Sequence, residues 1–138
     1  MAVTVSPQFR RLCDQFNTIL GGTSHEITRG PVCFVTRIRR INASILGRRT
    51  TSPLVRAQLF SFESLDSSGR ALCLGETSLF QNQVNTLLTN LRNNGVKVTA
   101  VHNHWLNENP RLMYIHWESI DKPLDFARKV KRSIAFLG

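Results

Sequence analysis

The chain has 138 residues, 41% of them hydrophobic, with 18 Lys and Arg against 9 Asp and Glu. That length fits one domain able to bury about two-thirds of its unfolded surface, and no apolar run approaches the roughly 20 residues of a membrane span. The net charge of +9 admits nucleic acid, an anionic surface or an acidic ligand as partner, although a solvated basic surface is the simplest account of charge alone.

The start, MAVTVSPQFRRLCDQF, lacks a basic region followed by an apolar core, so no signal peptide is expected. Ser6 and Pro7 make a helix start, serine as the cap and proline at the first helical position. Phe9, Leu12, Cys13, Phe16, Ile19 and Leu20 then recur at helical spacing until Gly21-Gly22 stops the run. VCFVTRIRR alternates as a strand, with Phe34, Thr36 and Ile38 on one face. NASILGRRTTSP reads as a strand end or short ribbon and a loop. LVRAQLFSFES and ALCLGETSL flank LDSSGR, whose Asp66, Ser67, Ser68 and Gly69 suit a hairpin turn.

FQNQVNTLLTNLRNNG is the second helix, with Val84, Leu87, Leu88 and Leu91 on one stripe and Gly95 as the stop. VKVTAVHNHW and PRLMYIHWES are strands joined by the turn-rich LNENP. The last helix begins at DKP with Asp121 as cap. It sends Leu124, Ala127, Val130 and Ile134 inward, and Arg128, Lys129, Lys131 and Arg132 away from that stripe. Short links between strands favour a mostly antiparallel sheet with helices packed on one face, a single α+β domain over residues 1–138. Cys13, Cys33 and Cys73 are odd in number and show no CxxC spacing, which suits reduced, mostly buried thiols in a cytoplasmic protein.

Three of the four histidines fall within fifteen residues, at His102, His104 and His116. In a strand, residues two apart share a face, so His102 and His104 point the same way. A five-residue loop from Leu106 to Pro110 pairs Ala100 with His116, and a loop from Asn107 to Arg111 sets His102 opposite His116. Either even-sum register brings all three rings to one face, about 5–8 Å apart as neighbours or diagonals. Such imidazoles can hold Zn²⁺ or another divalent ion and leave a position for water or substrate, a plan analogous to that of carbonic anhydrase. The opposite face, with Val101, Trp105, Met113, Ile115 and Trp117, reads as core. Val96, Val98, Ala100, Leu112 and Tyr114 flank the histidines and suit a pocket, one that a second subunit can close.

Two carboxylates are candidates for a fourth ligand or a general base. Glu108 completes HxHxxxE, part of the first cupin signature, but the second cupin signature is absent. It sits in a turn where a carboxylate is usually solvated. Glu76 ends a central-looking strand, where burial raises a carboxyl pKa and suits it to proton transfer, and is the one expected nearest the rings.

NNGVKVTAVHNHWLNENPRLMYIHW, from Asn93 to Trp117, resembles the shared pattern of the LppY/LpqO lipoprotein family, whose function is not established. LGETSLFQNQVNTLLTNL resembles that family's acidic residue and following helix, and places Glu76 at the acidic position. VCFVTRIRRINASILGR is more loosely similar, so the specific part runs from Gly75 to Trp117. The resemblance implies a shared functional stretch of His102, Asn103, His104, Glu108, Pro110, Arg111 and His116, and implies no activity. This chain departs from the pattern in having Asn107 where a glycine is usual, in lacking an export signal at its start, and in its basic charge.

The leading expectation is therefore a domain with a histidine-lined pocket that binds a divalent metal or small ligand, with metal-dependent catalysis as an extension. His102, His104 and His116 are the metal candidates, and Glu76 and Glu108 the catalytic ones. Asn103, Arg111 and Tyr114 are the ligand-binding candidates, Arg111 either orienting an anionic substrate or pairing with Glu108. One alternative is a nucleic-acid or anionic-polymer module using the arginines at 37, 39, 40, 48 and 49. It lacks any RNP, KH, helix-turn-helix or zinc-finger pattern, and no aromatics interleave with its basic runs. The other alternative is a structural homo-oligomer.

Overall fold

Ser6 accepts a hydrogen bond from the Phe9 amide at 3.1 Å, and Pro7 needs no partner at the first position of α1 (Pro7–Leu20). Gly21, at φ 68°, closes the helix in the left-handed region where a side chain is strained. The computed structural model describes residues 3–138, and among them the fold is a single α+β domain with four α-helices and nine strands.

Six strands form one sheet, β1 (Ser24–Thr28), β2 (Val32–Ile38), β5 (Ala57–Glu63), β6 (Ala71–Phe80), β9 (Leu112–Asp121) and β7 (Lys97–His102), in that spatial order. Every neighbouring pair is antiparallel. Three short strands, β4 (Arg48–Thr50), β3 (Ala43–Ile45) and β8 (Glu108–Asn109), make a second sheet. The ribbon expected in NASILGRRTTSP is the β3–β4 pair, and β1 had no clear sequence signal. LVR, expected within a strand, forms the single turn α2 (Pro53–Arg56) instead, because Ser52 caps Leu54 at 3.2 Å and Pro53 fixes the first φ.

Helices α1, α3 (Val84–Asn93) and α4 (Pro123–Ile134) cover one face of the large sheet. Cys33, Val35, Phe60, Phe62, Cys73, Ile115 and Trp117 from the strands meet Phe9, Phe16, Leu87, Leu91, Phe126 and Val130 from the helices. Phe16 lies edge-on to Phe62 at 4.9 Å. Each fully buried side chain of this size contributes about 1.5–3 kcal/mol relative to exposure, which is why α4 stays in place although it carries four basic residues, Arg128, Lys129, Lys131 and Arg132. Asp121 does not cap α4. Lys122 holds that position, and Asp121 sits one residue earlier, accepting from the Lys122 amide at 2.8 Å and pairing with Lys129 at 2.7 Å.

Two features of the sheet position the histidines. Gly75 pairs across the sheet with Trp117, and a β-carbon there would meet the indole at 2.4 Å, so glycine lets the ring lie over β6. The second is a bulge in β7. Val98 pairs with Trp117 but Ala100 pairs with His116, leaving Thr99 as an extra residue. Val96 and Val98 therefore face the helices, contrary to the expectation that they flank the histidines, while Ala100 and His102 turn to the uncovered face.

Cys13 and Cys33 are joined, with Cα atoms 5.5 Å apart, which corrects the expectation of three reduced thiols. Neither residue's sequence context shows that α1 lies directly over β2. Cys73 is a free, buried thiol, and burial first and then the Asp121 charge push its pKa up to about 12, where it is inert at neutral pH. The argument from reduced thiols to a cytoplasmic location accordingly falls away. No helix among the described residues is long and apolar enough to cross a membrane.

Candidate metal centre

β7 and β9 pair after the bulge in one of the two even-sum registers, with Ala100 opposite His116 and His102 opposite Tyr114. No tight hairpin follows. β7 ends at His102, and the chain passes through β8 on the small sheet before returning to β9 at Leu112. His104 thus comes from a connecting segment rather than a strand.

The three rings nevertheless converge. Their candidate ligand atoms lie within 4.8 Å of one another. His102 sits between the other two, with ring centres 4.7 Å from His104 and 4.8 Å from His116, nearly parallel to each. Ligands held at 2.0–2.1 Å around a tetrahedral zinc would be about 3.3 Å apart, so the stacked rings must draw closer and turn their nitrogens to a common point to coordinate one.

Tyr114 supports the site from below. His104 lies flat on its ring at 3.8 Å and 7°. The Tyr114 hydroxyl accepts from Trp105 Nε1 at 2.7 Å and donates to the Val55 carbonyl at 3.4 Å, so the ring cannot turn freely. Trp105 was expected to pack on the opposite face. Its indole N–H instead fixes the tyrosine, a link that no local feature of the sequence signals.

The chemistry of the partners selects the free nitrogens. His102 Nδ1 lies 3.2 Å from the Asn103 carbonyl, which can only accept, so Nδ1 holds the proton and Nε2 is left as donor to a metal. His116 Nδ1 faces Glu76 Oε2 at 3.9 Å, an ion-pair separation rather than a hydrogen bond. His116 Nε2 is buried and has no partner, and an unsatisfied buried polar atom costs about 1–3 kcal/mol. The pKa of His104 is lowered below 6.5, by partial burial first and then by His102, with Glu76 opposing and His116 adding.

The remaining sequence candidates divide. Glu76 lies opposite His116 in the sheet register and beside its ring. Glu108 is not solvated as expected. Its side chain is 1% exposed in β8, where Arg111 Nε approaches Oε1 to 2.9 Å, too obliquely for a hydrogen bond. Arg111 itself lines a different hollow, with Pro110, Phe80, Gln81 and Asn82. Asn103 donates to the Trp105 carbonyl at 3.2 Å and shapes the segment carrying His104.

The basic clusters are partly internal. Arg39 is 6% exposed and donates to the carbonyls of Ser78 at 2.7 Å and Leu137 at 3.0 Å. Arg37 donates to Gln58, Arg128 pairs with Asp125, and Arg132 donates to Asn94.

Fold and site together define a class, an antiparallel α+β domain with three convergent imidazoles and an adjacent carboxylate on its uncovered sheet face. A family model described as Domain of Unknown Function (DUF1259) matches residues 14–135, and the chain belongs to that family. The match does not confirm the lipoprotein family that the sequence resembles. No curated protein and no solved structure matches the chain.

Proposed function

We propose that this domain binds a divalent transition metal, zinc in the first instance, through Nε2 of His102 and His116 and one nitrogen of His104. One observation carries the reading: His116 Nε2 is buried without a partner while its Nδ1 faces Glu76. At 3.9 Å this contact is longer than the hydrogen bond by which a carboxylate orients a ligating histidine, and a closure of Glu76 onto Nδ1 by about 1 Å would complete that arrangement. Imidazole donors suit zinc, copper, iron or nickel rather than calcium or magnesium. Three protein ligands leave a position for water or a substrate oxygen, and a metal there acidifies the water or polarises the oxygen. Glu76 is then the group that orients His116 and the nearest base for a released proton.

Calorimetric titration of tag-free protein with zinc tests the assignment. Saturable binding that each of His102→Ala, His104→Ala and His116→Ala weakens by at least about tenfold is the expected result. Binding unchanged by all three substitutions would refute it.

A further inference from the structure

The uncovered face of the large sheet is apolar on both sides of the imidazoles. Phe34, Leu59, Leu72 and Leu74 line a trough of about 560 Å³ that reaches Glu76 and His116. A second hollow of about 380 Å³ is walled by Pro53, Leu54 and Trp105 and reaches Glu76, His104 and Tyr114. Leu59 and Glu76 line both. The two hollows meet where the polar groups are.

Each volume is that of a small-molecule site. In the trough Phe34, Leu59 and Leu72 are half-buried and Leu74 is 39% exposed, while in the second hollow Leu54 is 73% exposed. The exposed Thr99 and Glu118 stand at one edge. From β9 across β6 and β5 to β2 are three strand spacings, so the trough extends about 14 Å. Among the described residues, neither hollow is lined by a lysine or arginine, whereas Glu76 and Glu118 both line the trough. An anionic head is disfavoured there.

The geometry points to an elongated, uncharged ligand with apolar arms on either side of a central oxygen donor, as in a ketone or ester. The oxygen lies at the imidazoles, with one arm in each hollow. The placement of the oxygen rests on the metal reading, because the metal supplies the attraction for that donor. The placement of the arms rests on the hollows alone.

Displacement of the neutral dye Nile red from tag-free protein, with and without bound zinc, tests this. Dibutyl ketone and methyl heptyl ketone are isomers of equal apolar content that differ in having the carbonyl at the centre or next to one end. With zinc, dibutyl ketone is expected to displace the dye at a roughly fivefold lower concentration than its isomer or nonanoate, an advantage lost in His116→Ala. Leu59→Glu is expected to abolish binding of dye and ketone while zinc still binds. Equal displacement by the two isomers on the zinc-loaded protein, a preference for nonanoate, or dye binding indifferent to Leu59→Glu each overturns the inference. So does a dimer that buries this face and excludes the dye. If the wild-type protein takes up no zinc, the metal reading fails on its own, and the ligand class stands only if dibutyl ketone still outcompetes its isomer on the metal-free imidazoles.

Discussion

His104 is the ring whose charge the site opposes, and it gives the first prediction. Its folded pKa lies below 6.5 because of partial burial and then the neighbouring His102, against the pull of Glu76. The unfolded chain therefore takes up this proton first as pH falls, so the metal-free protein loses stability as pH drops through 6.5 and keeps it above. Melting temperatures between about pH 8 and pH 5 should show that loss, and His104→Asn should make it shallower; an unchanged slope would remove His104 from the account. Metal binding weakens in the same direction, since protons compete for the imidazole nitrogens. Glu76→Gln should lower zinc affinity by about 10–100-fold with the fold intact, read by titration and circular dichroism. At this scale the even-sum pairing of Ala100 with His116 was legible in the sequence, whereas His104 reaches the other two rings from a connecting segment and not by the strand alternation of HxH. The burial of Glu108 was not readable, because it follows from β8 pairing with Ser44 and Ile45, residues more than sixty positions away.

The three long helices were readable because their signals are local, whereas the single turn α2 was expected within a strand. Ser6-Pro7 and Gly21 bound α1, and Leu87 and Leu91 share the buried face of α3. The bulge at Thr99 had no such signal: a run of alternating residues does not show where one is left unpaired, yet this one turns Ala100 and His102 to His116. Gly75 is the matching device in β6. Gly75→Ala forces a methyl group against Trp117 and should cost about 1–3 kcal/mol in denaturant unfolding; a neutral substitution would show that the indole can move aside. The Cys13–Cys33 link ties α1 to β2 across 20 residues. Removing it with Cys13→Ser should cost about 2–4 kcal/mol, and reductant should reproduce the effect in the wild type.

For the molecule as a whole, the +9 charge overstates the free basic surface. Arg39 is buried against the carbonyls of Ser78 and Leu137, which withdraws its charge from the surface. DNA or RNA binding should accordingly be weak, independent of sequence and lost as salt rises, as measured by fluorescence anisotropy. Submicromolar, sequence-selective binding at physiological salt would favour the nucleic-acid reading over the metal one. The large sheet keeps its helices on one face and its imidazoles on the other, so the centre can be altered without opening the core. The most direct test is the metal content of protein expressed without a tag in zinc-supplemented medium, compared with the His102→Ala/His116→Ala double variant. One bound metal ion per wild-type chain, and none in a double variant of unchanged fold, is the predicted result. A metal-free wild type that also fails to take up added zinc, or a double variant that retains the ion, would contradict it.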